Sequence, residues 1–241
     1  MEPSKKQPYL ILVAIIISGL MIAGAIAYKG GFGNSDQKAA PKDNALTKKG
    51  EENKDKEDQT ESKDINIAGE GDDPLLGNPD APLTMVIFGD FQCHYCRKLE
   101  LEIKPMIIEK YVKTGKLKII ARDFPFLGKE SVLAAVAGNC ALEQNKYFEY
   151  SDALHSGQDT NEIPEVNSGT LKLAAKNLKL NTSQFDECLD SNKYLDEVEK
   201  DFKEGRALKI EGTPTTFINK EIIEGAQPFE EFEKIIESEI N

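Results

Sequence analysis

Phe91-Gln92-Cys93-His94-Tyr95-Cys96 places two cysteines three positions apart, between an apolar run at residues 84–88 and a helical pattern that opens at Cys96. Cysteines so spaced at a helix start can close a small disulfide ring. The helix N-terminus stabilises the thiolate of the first, which lowers its pKa and makes it a good leaving group. Half a zinc site is the competing reading, but zinc takes four ligands, usually from two such pairs or from added histidines. Cys140 and Cys188 are single and far apart, and the histidines are His94, inside the motif, and His155. No metal is therefore expected. An inert structural disulfide is the third reading, and the strand-then-helix setting favours redox chemistry over it.

Upstream, Lys5 and Lys6 precede an uncharged apolar run at residues 9–28. Its length, roughly 20 residues, matches a membrane-spanning helix and exceeds the apolar core of an ordinary signal peptide. With the basic flank (1–8) held in the cytoplasm, the rest of the chain is expected outside, anchored to the cell membrane. Cleavage after Ala25-Ile26-Ala27 is the alternative, giving a secreted chain; the cysteines lie outside in both cases. No cysteine follows the run closely, so a lipid attachment site is not expected.

Residues 29–72 include Lys48-Lys49-Gly50-Glu51-Glu52-Asn53-Lys54-Asp55-Lys56-Glu57-Asp58 and almost no large apolar side chains. Such a mixed-charge stretch buries too little surface to fold and reads as a disordered linker, a solvated spacer rather than a docking segment. The net charge of −12 argues against nucleic acid as a partner.

Residues 73–241 remain, enough for one sizeable core. A buried strand is expected at 83–88. A helix follows at 96–114, with Leu99, Ile103, Ile107 and Tyr111 at spacings of four, and Gly115 ends it. Lys116-Leu117-Lys118-Ile119-Ile120-Ala121 reads as a second strand, parallel to the first because a helix joins them. From 129 to 204 the pattern is helical, with segments at 131–144, 147–154, 168–178 and 183–203. Residues 215–218 and 221–223 then form a hairpin turning at Asn219-Lys220. Phe229, Phe232, Ile235, Ile236 and Ile240 mark one face of a closing helix.

Strand-helix-strand, a helical block, then strand-strand-helix resembles the DsbA-like thiol:disulfide oxidoreductases, α/β proteins of thioredoxin-like fold interrupted by an inserted α-helical domain. The likeness covers most of the folded region. It rests on Leu76-Gly77-Asn78-Pro79-Asp80-Ala81-Pro82, on Phe88-Gly89-Asp90 leading into the cysteine motif, on Arg122-Asp123-Phe124-Pro125, and on Gly212-Thr213-Pro214-Thr215. By itself, a proline before a strand is a plain turn residue. The resemblance implies instead a cis Thr213-Pro214 bond facing the cysteines, with the Thr213 backbone free to pair with an extended substrate segment beside Cys93.

Two departures bear on chemistry. His94 stands where many relatives carry proline. A protonated imidazole there stabilises the thiolate, a neutral one offers only a hydrogen bond, and a solvent-facing filler does neither. Ile87 stands where several relatives have a buried glutamate that assists proton transfer. Asp90 is the nearest acidic alternative for that role, with a turn or cap residue as its other reading. Cys140 and Cys188, left over in an oxidising compartment, are expected to form a structural disulfide. A second redox relay is the competing idea, although neither belongs to a close pair.

The chemistry implied is oxidation of exported proteins with free cysteines, by attack on Cys93 and departure of Cys96, with no cofactor. A membrane reoxidant of the quinone-linked DsbB or vitamin-K-epoxide-reductase (VKOR) type is implied as the partner that restores the disulfide. Reduction or isomerisation uses the same residues at a different redox poise. No dimerisation segment is evident, so a monomeric oxidase is expected. A redox-inert peptide-binding module is the reading from another class.

Overall fold

The computed structural model describes residues 73–240. The expected membrane segment at 9–28 and linker at 29–72 lie outside them. Two parallel strands form the centre of the sheet, β2 (Leu83–Gly89) and β3 (Leu117–Asp123), in register from Leu83 opposite Leu117 to Gly89 opposite Asp123. Both are apolar on both faces, as strands covered on both sides must be. β4 (Thr215–Ile218) pairs antiparallel with β2, and β5 (Glu221–Glu224) with β4 through a turn at Asn219, whose φ of 52° suits asparagine. The short β1 (Leu75–Leu76) closes the other edge against β3, giving the order β1-β3-β2-β4-β5. Two residues are too few to show a periodic pattern, which is why β1 was not foreseen.

The helix after the cysteine motif starts and stops two residues earlier than expected and is less regular than its fourfold spacing suggests. α1 (His94–Lys98) runs into a π-helical turn at Leu99–Ile103, then α2 (Lys104–Ile107), then a second π turn at Ile108–Val112. Pro105 explains the first widening: it has no N–H to give and its ring crowds the preceding turn. Gly115, at φ 71°, ends the helix as expected, and the Lys116 N–H donates to the Tyr111 carbonyl across it. Leu99, Ile103, Ile107 and Tyr111 pack with Met85, Ile119 and Ile218 of the sheet and with Phe232 and Ile236 of α8 (Phe229–Ile240).

Between β3 and β4 run five helices: α3 (Lys129–Leu142), α4 (Tyr147–Asp159), α5 (Ser168–Asn177), α6 (Thr182–Asp190) and α7 (Leu195–Ala207). The single helix expected at 183–203 is thus two. Asn192 breaks it with a φ of 52°, and the Lys193 N–H closes the α6 end on the Cys188 carbonyl. Helices α3 to α6 build a core of their own, centred on Ala137, Cys140, Tyr150, Leu154, Leu171 and Phe185. α7 bridges this core and the sheet, Val198 packing into the core and Phe202 packing with Phe88, Phe124 and Phe217 on the sheet face opposite α8. Gly205 is what lets it approach: a Cβ there would lie 2.5 Å from the Phe124 ring.

Candidate functional site

Cys93 caps the helix and Cys96 lies in its first turn, both as thiols and both largely buried, at 8% and 6% exposure. The loop before them is held by Asp90, whose carbonyl accepts from the Cys93 N–H at 3.0 Å. Its carboxylate accepts from the N–H groups of Gln92 at 2.8 Å, Phe126 at 3.0 Å and Leu127 at 3.1 Å. The structure therefore uses Asp90 as a turn residue, the second of its two expected readings, and its oxygens are engaged in holding two loops together.

Thr213 faces Cys93. The Cys93 thiol donates to the Thr213 carbonyl at 3.2 Å, and the Thr213-Pro214 bond that leads into β4 is cis. The two sulfurs differ sharply. The hydrogen bond from the Cys96 thiol is the largest influence on Cys93; burial opposes it, and the Thr213 side chain and the N–H groups of Cys96 and Tyr95 assist it. Together they bring Cys93 from an ordinary value of 9.0 down to about 5. Burial, followed by the neighbouring Cys93 sulfur, pushes Cys96 well above the usual thiol range. At neutral pH the pair holds one thiolate and one thiol, the outer sulfur ready to leave and the inner one in need of a proton when it does.

The inserted helices reach this site, which sequence reasoning did not foresee. Gln92 donates to the Ser131 hydroxyl at 2.8 Å, Gln158 donates to the Phe91 carbonyl at 2.9 Å, and the His155 ring stacks on Phe91 at 5.6 Å. None of these contacts has a local pattern, since each joins residues 39 or more apart. His94 accepts from Arg97 at 3.3 Å through Nδ1 and meets the exposed Tyr95 edge-on. Because arginine can only donate, the His94 proton sits on Nε2. Ile87 lies mid-strand opposite Ala121 and Thr216, with no acid at that position. Away from the site, Cys140 of α3 and Cys188 of α6 are joined by a disulfide, with Cα atoms 5.8 Å apart.

The thioredoxin family profile matches residues 69–238. A probable disulfide bond formation protein D from Bacillus cereus is 31% identical over 170 residues, covering 68% of this chain and 77% of that one. The chain belongs to the DsbA-like thioredoxin-fold oxidoreductases. Disulfide bond formation protein D of Bacillus subtilis is likewise 31% identical over 170 residues, spanning 69% of this chain and 77% of its own. The crystal structure of oxidised BdbD from Bacillus subtilis superposes with a TM-score of 0.65 at 30% identity, over 70% of this chain and 93% of that one. Wolbachia pipientis alpha-DsbA1 gives 0.65 at 26% identity, over 73% and 96%. This DsbA-like chain is a thiol:disulfide oxidoreductase, and its interrupted thioredoxin-like fold is the one the cysteine motif and its flanking segments predicted.

Proposed function

We propose that the chain is an extracytoplasmic oxidase that passes its Cys93-Cys96 disulfide to exported proteins as they fold. The observation that carries this reading is the divergence of the two sulfurs, Cys93 at about 5 and Cys96 well above 9.0. A stabilised Cys93 thiolate favours the reduced enzyme, and a dithiol that is stable reduced makes an oxidising disulfide. A substrate thiolate attacks Cys93, Cys96 leaves, and a second substrate thiol displaces Cys93 to complete the substrate disulfide. The Thr213 backbone beside Cys93 receives the extended substrate segment, with Pro214 shaping the loop. The Cys140–Cys188 bridge takes no part in turnover.

The relatives named as disulfide bond formation proteins support this direction of transfer. The apolar run at 9–28 anchors the domain outside the membrane by way of the spacer 29–72, and the domain works as a monomer. A membrane protein of the DsbB or VKOR type takes the electrons of the reduced pair. Equilibrating the chain with glutathione buffers and counting the Cys93 and Cys96 thiols tests the direction. A potential well above about −270 mV is expected, and a value at or below it would make the chain a reductase.

A further inference from the structure

The parallel ladder of β2 and β3 stops at Gly89 opposite Asp123, and the Phe124 N–H still reaches the Gly89 carbonyl at 2.7 Å. Beyond that point the two chains part, and Pro125 has no N–H to offer. The Asp90 side chain takes over where the ladder ends. One carboxylate oxygen accepts from the Phe126 and Leu127 N–H groups at 3.0 and 3.1 Å, and the other from the Gln92 N–H at 2.8 Å. Asp90 is 2% exposed, so these bonds are shielded from water. Its main chain serves the redox pair. The carbonyl accepts from the Cys93 N–H, and its own N–H donates to the Cys96 sulfur at 3.4 Å. A single residue thus reaches both cysteines through its backbone and both flanking loops through its side chain.

Cys96 is the sulfur with the harder task. Burial holds its thiol well above the usual range, and the Asp90 N–H is one of the groups that oppose this. When a substrate thiolate bonds to the Cys93 sulfur, the Cys93–Cys96 bond breaks, and the electron pair, with the negative charge, passes to Cys96. The charge appears on a buried atom, where a fixed N–H dipole already aimed at it is worth more than one that must first turn. We propose that Asp90 is a positioning residue for the departure of Cys96: its carboxylate, by gathering three N–H groups from two loops, keeps its own N–H on the sulfur that takes up the electron pair. The inference rests on the exchange chemistry proposed above. Nothing in it requires the carboxylate to give or take a proton. A carboxylate acting only by its charge would have the opposite effect, since one anion hinders a second from forming nearby. The sign of the change on removing the carboxylate therefore separates the two roles.

The test is reduction of the full chain's own Cys93-Cys96 disulfide by dithiothreitol at pH 7, quenched with acid at intervals and followed by counting free thiols. The pH profile of Cys93 alkylation in the reduced chain is measured beside it. Asp90→Ala, which removes all three acceptor contacts, is expected to slow reduction about tenfold, and Asp90→Asn, which keeps one acceptor oxygen, about threefold. In both, Cys93 alkylation should keep its midpoint at about 5, because the groups that bring Cys93 down, the Cys96 thiol foremost, lie on the helix and at Thr213. A site loosened in general would move the rate and the midpoint together, and that result would overturn the proposal. So would a folded Asp90→Ala chain that reacts at the parent's rate, or faster reduction in either variant, the mark of a charge effect. Should neither variant fold, hydrogen exchange in the reduced parent decides: the Asp90 N–H is expected to be protected, and free exchange there would overturn the positioning role. A parent chain whose disulfide does not react with dithiothreitol would instead sink the exchange chemistry itself.

Discussion

The two cysteine pairs carry the same functional group and meet opposite fates. Cys93 and Cys96 lie three apart where a strand gives way to a helix, held between a turn and the Thr213 carbonyl. Cys140 and Cys188 lie 48 apart on α3 and α6, at 0% and 3% exposure, inside the core of the inserted helices. The first pair has several hydrogen-bond donors aimed at Cys93 and one, the Asp90 N–H at 3.4 Å, aimed at the more deeply buried Cys96; the second is enclosed by Ala137, Tyr150, Leu171 and Phe185. Reactivity therefore follows the surroundings rather than the residue: one sulfur is stabilised as an anion, and the enclosed bridge is shut away from any thiolate that could attack it.

Removing Cys93 breaks the comparison most completely. Cys93→Ser should bring oxidation of a dithiol peptide down to background, whereas Cys96→Ser should hold substrate through Cys93 as a mixed disulfide seen on non-reducing gels. Next in size, replacing both Cys140 and Cys188 with alanine should cost about 4 kcal/mol by the chain-entropy estimate and lower the melting temperature by roughly 10 °C. Thiol oxidation by the first pair should persist; a stable but inactive variant would mean that the bridge acts in turnover.

A pH series sharpens the contrast further. Alkylation of the reduced chain at Cys93 should rise through about pH 5, while Cys96 stays unmodified at neutral pH. The depressed Cys93 value means that the unfolded chain binds the extra proton between about 5 and 9.0. Stability of the reduced form should therefore climb with pH across that window and be flat below it. Above 9.0 the raised Cys96 value acts in the opposite sense. Chemical denaturation of the reduced and oxidised chains at several pH values gives the difference. The smallest effect belongs to His94, whose Nδ1 is turned to Arg97: His94→Ala should change the Cys93 alkylation rate at pH 6 by less than about threefold.

How much of this was legible in the sequence depends on the range of each interaction. The parallel β2–β3 pair, the Asn219 hairpin and the α8 stripe are local patterns, and they appear where the periodicities put them. The break at Asn192 was hidden because the apolar spacing continues across it, and only the preceding Ser191-Asn192 pair hinted at a stop. At the site, the cysteines announce themselves by spacing, and Thr213-Pro214 through the family resemblance. Gln158, Ser131 and His155 do not, because they depend on where α3 and α4 dock.

The edges of the sheet have a bearing on the company this protein keeps. An enzyme that handles unfolded chains is surrounded by strands seeking partners, and any open edge of its own invites them to add on. One border here is β1, two residues long; the other is β5, which puts the exposed carboxylates of Glu221 and Glu224 at its two ends. Neither offers a long, uncharged template. Clients are thereby discouraged from adhering to the margins, and a chain that has been oxidised is free to depart rather than seed a co-aggregate with its catalyst.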